Sequence, residues 1–410
     1  MNADAKELAA SFDLEKLTPE FYDNPYPTYR ALRENEPVKR LRNGTVFLTR
    51  YDDLVTTYKN TKSFSSDKKR EFAPKYGDSL LYEHHTTSLV FNDPPAHTRV
   101  RRLIMGALSP RAIAGMEGDL IKLVDGLLDA IAAKGACELI EDFAASIPIE
   151  VIGNLLDVPH DERAPLRDWS LAILGALEPV VRPEAAARGN KAVKDFLAYL
   201  ETLVARRRAK PGNPERDVLT RLIQGEGNGE ENGERLTEKE LLHNCIFLLN
   251  AGHETTTNLI GNGLVALDRN PDQKQRLIGN PDMIKTAVEE MLRYESSNQL
   301  GNRMTTEKLE LGGVTLEGGT SVTLCIGAAN RDPAQFPDPE RFDIARTPNR
   351  HLAFATGAHQ CAGMALARLE GAVAISRFLA RFPNYAVSGQ PVRGGRVRFR
   401  GFLSVPCALR

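Results

Sequence analysis

The sharpest chemical signal in the chain is the stretch HLAFATGAHQCAGMALARLEGAVAISRFLARF. Cys361 closes an irregular, glycine-containing loop and directly precedes a helical pattern carrying Met364, Leu366, Leu369, Val373 and Phe378 on one side. A cysteine at a helix N-terminus faces unpaired backbone N–H groups and the positive end of the helix dipole, which favours thiolate. Gly357 and Gly363 let the backbone approach something large and flat, and His359 can reach an anionic group at its edge. A buried free cysteine at a helix start is common. A cysteine nucleophile would need a His–Asn set that is not evident. The glycine, histidine, cysteine, glycine spacing favours a metal-ligating thiolate over both.

A second stretch, NAGHETTTN (residues 250–258), interrupts an otherwise apolar helix, with CIFLL before it and LIGNGLVAL after it. Glycine and threonine are weak helix formers, and a carboxylate in a buried segment is costly without partners or work. Gly252 leaves one helix face without a side chain, open to close approach. Threonine hydroxyls can bond back to helix carbonyls, bend the helix and admit water. Glu254 with Thr255 makes an acid–alcohol pair able to pass protons. HETTT begins like the zinc motif HExxH, but Thr257 stands where the second ligand is needed, so that reading fails. A helix kink without chemistry remains the alternative for this segment taken alone.

Phe354-Ala-Thr-Gly357-Ala-His359-Gln-Cys361-Ala-Gly363 resembles the haem-binding motif of cytochrome P450 enzymes, with one departure: Ala355 follows the phenylalanine where the family has glycine. The resemblance implies that Cys361 is the axial ligand of the iron of haem b and that Phe354, Gly357 and Gly363 shape the haem pocket. Ala251-Gly-His-Glu254-Thr255-Thr256 is similar to the family's oxygen-activation motif on its central helix. Glu290-Met-Leu-Arg293 resembles the Glu-x-x-Arg pair, which joins a downstream arginine at the position of Arg341, a structural trio; alone it would be an ordinary ion pair. His97 and Arg101, an i, i+4 basic pair, match donors to the haem propionates, as do Arg303 and His359; alone the pair would be a solvated face. By analogy the substrate pocket draws on Leu89, Leu248, Ala251, Gly252, Leu300, Phe402 and Leu403, on Tyr82 to Val90 and on the Trp169 to Leu177 region. His84, His85, Asn298 and Gln299 could anchor a polar group, with loop exposure the plainer explanation.

The elements that must position these residues are mostly helical. Thr237-Glu-Lys-Glu240 fits a capping box opening a helix that runs to about Arg269, before Pro271. Helices are also expected over Pro27–Glu34, from Ser109 to a stop at Gly135, over MIKTAVEEMLRYE and after Cys361. Asn43-Gly44 predicts a hairpin between Val38 and Leu48. LELGGVTLEGGTSVTLCI reads as strands turning at Gly312-Gly313 and Gly318-Gly319, and GEGNGEENGER (225–235) as an acidic loop. The expected fold class is mainly α with small β-sheets (α+β), a long central helix crossing the haem. One domain is expected over 1–410, with a mixed hairpin and sheet region over about 1–60 and helical bulk over about 61–410.

Bulk properties exclude other functions. Lys plus Arg (53) nearly cancels Asp plus Glu (54), so no overall field recruits nucleic acid or anionic membrane. The five cysteines are far apart with no CxxC pair, which argues against zinc ribbons, iron–sulfur clusters and a secreted disulfide frame. No apolar run opens the chain, so a cytoplasmic, monomeric protein without a membrane anchor is expected. The resemblance implies a monooxygenase using O2, a small or medium hydrophobic substrate, and electrons from a separate ferredoxin and ferredoxin reductase. Arg99, Arg102 and Arg111 are candidates to dock the ferredoxin. A peroxygenase driven by hydrogen peroxide and a non-catalytic haem sensor or carrier are the alternatives.

Overall fold

The computed structural model describes residues 3–214, 217–225 and 236–409. Apart from Gly225, the acidic loop expected at 225–235 lies outside the described residues. Helix dominates, and three hydrophobic clusters fill the interior.

Five short strands make the main sheet: β1 (Val38–Arg40), β2 (Val46–Leu48), β3 (Phe64–Ser65), β4 (Leu300–Thr305) and β5 (Ser321–Cys325), in the order β1-β2-β5-β4-β3. The hairpin turn expected at Asn43-Gly44 is present, with Gly44 at φ +82° and Val38 opposite Leu48. Strand β2 then pairs in parallel with β5, Val46 against Val322 and Leu48 against Leu324. Val46, Phe47 and Leu48 are all buried, which explains a continuous apolar run where a hairpin at the surface would alternate. The strands expected before Cys325 form as Leu309–Leu311, Val314–Leu316 and β5, with positive φ at Gly312, Gly313 and Gly319. Strand β4 and a small C-terminal sheet (Cys137–Glu138, Pro406–Ala408, Ala386–Val387) carry no periodicity legible in the sequence, being only a few residues each or irregular in burial.

The helices around the interior cavity include α1 (Leu80–Thr87), α2 (Ala96–Ala107), α3 (Glu238–Arg269), α4 (Ile284–Tyr294) and α5 (Met364–Arg381). The capping box of α3 is formed in both directions between Thr237 and Glu240. At 32 residues its length is about 48 Å, enough to cross the molecule. Most of its C-terminal half is buried, and it packs against α5 and the helix Ser146–Leu155. The helix expected at Pro27–Glu34 spans Tyr26–Asn35. That expected after Ser109 is capped by the Ser109 hydroxyl and stops at Gly135, at φ +67°. Among the described residues no helix is long and apolar enough to cross a membrane.

Candidate active site

The Cys361 loop is closed by a backbone bond from Cys361 N–H to the Phe354 carbonyl at 2.9 Å, and α5 begins three residues after the thiol, with Gly363 as its cap. Gly357 adopts φ +76° and lies against the Tyr58 carbonyl; a Cβ there would come within 2.7 Å of that oxygen. Gly363 faces open space, with nothing within 4 Å of where a Cβ would project. Ala355 sits at φ +53°, the left-handed region in which glycine is unstrained. The Arg368 guanidinium lies over the Phe354 ring, 4.7 Å from its centroid. The thiol is accessible to the cavity although it sits deep in the molecule. Burial pushes its pKa up, opposed by the Gly363 N–H, Arg101 and Arg368. Helix-end polarity alone therefore does not make thiolate here, and a bound cation would.

Cys361 opens into an internal cavity of about 360 Å³, lined also by Phe354, Gly363, His97, Arg101, Arg303 and His359. The His97 and His359 ring centroids lie 3.9 Å apart, the planes tilted by 34°. Burial, with the Arg101 charge next in weight at His97 and Arg303 at His359, lowers both, His359 to about 2. Arg101 donates to the Gln360 carbonyl at 2.6 Å and Arg303 to the Asn302 carbonyl at 2.7 Å, neither to a carboxylate. His97 Nε2, His359 Nε2 and Arg303 Nε are buried without a hydrogen-bond partner. Two guanidiniums bonded only to backbone carbonyls, beside two imidazoles kept neutral chiefly by burial, suit a dianion. A flat dicarboxylate with a metal over the thiol fits: these residues can hold haem.

Across the cavity stands α3. It is helical without a break through NAGHETTTN. The Thr255 hydroxyl donates to the Ala251 carbonyl at 2.8 Å, and Thr257 does the same to His253. Ala251, Gly252 and Thr255 line the cavity. Gly252 has a second reason: a Cβ there would meet Ile152 Cδ1 at 2.1 Å, so the glycine also lets the helix Ser146–Leu155 pack closely. Glu254 is buried and turned to Arg396, whose Nη1 donates to both carboxylate oxygens at 2.6 Å. Burial still wins over that ion pair and raises Glu254 to about 7. His253 is buried without a partner and is not among the cavity-lining residues.

Several expected placements are corrected. Glu290 and Arg293 are fully buried and doubly bonded at 2.8 Å, but the third member is Arg346, at 3.2 Å from Glu290, and not Arg341. Arg341 is exposed and contributes to the network through its carbonyl, which accepts from Arg293 at 3.0 Å and from Arg346 at 3.2 Å. Side-chain direction in that proline-rich loop depends on packing and not on spacing. Leu89, Leu248 and Leu300 line the cavity, as do Ile173, Leu174 and Leu177. Phe402 and Leu403 do not: Phe402 is buried under Arg393, and Leu403 is 52 % exposed on a strand facing outward. Arg398 and Phe399 take their place, in a segment without regular structure that no sequence period marks. His84 and His85 are buried on α1 and not loop-exposed; both line the cavity. Asn298 lines it too, whereas Gln299 is buried outside it. Arg99 is already bound to Glu240, at 3.0 Å, which weakens it as a docking residue. Phe247, Asn250 and Ser297 also face the cavity, outside the residues expected there; of the three only Asn250, an amide in an apolar run, carries a sequence signal.

The family profile described as Cytochrome P450 matches residues 171–392. The biotin biosynthesis cytochrome P450 of Bacillus subtilis (strain 168) is 36% identical over 368 residues, 89% of this chain and 91% of that protein. The crystal structure of P450BioI in complex with hexadec-9Z-enoic acid ligated acyl carrier protein superposes with a TM-score of 0.89 at 34% identity, covering 96% of this chain and 100% of that one. CYP109E1 from Bacillus megaterium in complex with testosterone gives 0.87 at 29% identity, covering 96% and 100%.

Proposed function

The chain belongs to the cytochrome P450 family of monooxygenase enzymes, and from that premise we propose that it inserts one oxygen atom from O2 into a C–H bond of a small or medium hydrophobic molecule. Electrons come from a separate ferredoxin and its reductase, and the cofactor is haem b. The observation that carries this reading is Cys361, accessible in a cavity whose wall holds the unpaired polar atoms of His97, Arg303 and His359. When bound, the haem supplies one-electron chemistry and O2 activation, with the thiolate favouring O–O cleavage.

The chain's own residues do the rest. Cys361 would hold the iron. Arg101 and Arg303 would offset the charge of the two propionates, and the neutral imidazoles of His97 and His359 would donate hydrogen bonds to them. Arg368, stacked on Phe354, and the Gly363 N–H support the sulfur's negative charge. Glu254, poised near neutral pH, takes up and releases a proton; Thr255, with its hydroxyl at the cavity wall, presents one to the reaction site. Arg396 must release Glu254 for that transfer to run. Ile152, Ile173 and Leu248 supply an apolar wall that excludes water and accepts a hydrophobic substrate.

The test is spectroscopic first. Reduced, haem-loaded protein exposed to carbon monoxide is expected to show the strongly red-shifted Soret band of thiolate ligation, and Cys361→Ser to lose it. Retention of that band in the variant overturns the assignment. Product yield is then compared with ferredoxin plus reductase and with hydrogen peroxide. A peroxide-driven yield that exceeds the reductase-driven one makes the protein a peroxygenase. Absence of substrate-dependent O2 consumption leaves a haem sensor or carrier.

A further inference from the structure

Resting on the monooxygenase reading above, we propose that the substrate cavity selects a neutral, largely apolar molecule bearing hydroxyl or carbonyl oxygens, with His85, Asn250 and Ser297 as its hydrogen-bonding partners. The cavity walls are mainly apolar, yet three elements each send in a buried polar side chain with unpaired atoms. His85 on α1 is 1% exposed and its Nε2 has no partner. Asn250 on α3 is 3% exposed, and both its amide nitrogen and its oxygen are unpaired. Ser297, in the segment between α4 and β4, is 6% exposed with an unpaired hydroxyl. Proteins leave few buried polar atoms unpaired, and such atoms favour a ligand that completes their bonds.

These atoms are distinct from the group around Cys361. His85 packs among the rings of Phe72, Tyr76 and Phe91. The other unpaired cavity atoms are those on Ser66, in the turn after β3, on the His97, His359 and Arg303 cluster, and on Glu370 of α5. The chemistry offered is neutral. An amide both donates and accepts, a hydroxyl does either, and an imidazole kept uncharged by burial offers one nitrogen of each kind.

Of the four cations that line the cavity, Arg101 and Arg303 belong to the group around Cys361 and the other two are already occupied. Lys68 is bonded to Glu71 at 2.8 Å. Arg398 donates to the carbonyls of Leu177 at 2.7 Å and Leu300 at 3.0 Å, and to the Asn302 side chain. The Glu178 carboxylate accepts the backbone N–H groups of Val397 and Arg398 beside it, offsetting the Arg398 charge. A free carboxylate entering this space would displace existing bonds and find its counter-charge shared. A hydroxyl or carbonyl would find vacant partners.

The experiment titrates the haem-loaded full chain with tetradecane, 1-tetradecanol and myristate, which differ only at the head group. It follows the ferric spin shift and, in parallel, binding heat. The alcohol is expected to bind about three- to tenfold more tightly than either the hydrocarbon or the acid, the ratio that one well-formed hydrogen bond supplies. Asn250→Leu, Ser297→Ala and His85→Phe, made singly so that one unfolded variant does not silence the others, are each expected to lower the ratio of alcohol to tetradecane affinity measured in that same variant. Myristate binding most tightly, an alcohol that gains nothing over tetradecane, or variants that leave the alcohol's advantage intact would each overturn the proposal, the last by showing that the unpaired atoms only hold water. A normal carbon monoxide spectrum alongside such a result sinks the substrate class alone; loss of that spectrum sinks the monooxygenase reading itself.

Discussion

Replacing Glu290 by glutamine keeps its shape and removes its charge. The carboxylate accepts from Arg293 Nε and Nη2, from Arg346 Nε, from Asn349 and from the Asp343 backbone N–H, all between 2.8 and 3.3 Å. Arg293 in turn donates to the Asn330, Pro339 and Arg341 carbonyls, so it cannot swing out to water when its counter-ion is lost. Breaking one side of a fully buried pair leaves an uncompensated charge and costs about 3–5 kcal/mol, a large share of a typical total of about 5–15 kcal/mol. Arg346 is 10% exposed at its side chain; it also donates to the Pro337, Asp338 and Arg341 carbonyls. Its truncation to alanine removes one partner of a carboxylate that keeps Arg293, for about 1–3 kcal/mol. Arg341→Ala removes an exposed side chain and keeps the carbonyl, for about 0.5 kcal/mol or less. Denaturant midpoints followed by far-ultraviolet circular dichroism, with haem retention read in parallel, rank the three. An Arg341→Ala variant as damaged as Arg346→Ala, or a Glu290→Gln variant within about 1 kcal/mol of the parent, refutes the network as described.

Thr255→Ala should keep the haem and the fold, since the hydroxyl bonds only within its own helix, but divert reducing equivalents to hydrogen peroxide; a fully coupled variant removes Thr255 from proton transfer. Ala355→Gly relieves a left-handed residue at about 1–2 kcal/mol against about 0.5–1 kcal/mol of added chain entropy, so the denaturant midpoint should rise slightly, and a clear fall contradicts the strain. Glu370 is buried and burial alone raises it from 4.5 to about 8. The native state therefore grips that proton more tightly than the unfolded chain does. The stabilisation is full below about pH 4.5 and is lost as pH rises through 8, up to about 5 kcal/mol at about 1.4 kcal/mol per pKa unit. Glu370→Gln should flatten the melting temperature between pH 5 and 9, and an unchanged pH slope rejects the assignment.

Local signals were legible wherever one segment settled its own geometry. Thr237 and Glu240 cap each other, and Pro271 follows the end of α3, so its bounds could be read directly. The loop-to-helix step at Cys361 likewise depends on neighbours in sequence. The propionate donors His97, Arg101, Arg303 and His359 could be named only through the family resemblance, since nothing local joins them, and the fold is what gathers them on one cavity wall. What the tertiary structure alone decided is who meets whom across long separations. The pairing of β2 with β5, the choice of Arg346 over Arg341, the tie between Glu254 and Arg396, and the exchange of Phe402 and Leu403 for Arg398 and Phe399 at the cavity wall all belong there. In irregular or short segments no period fixes which way a side chain points, and a shift of one residue reverses its face. Only the packed partners break that symmetry.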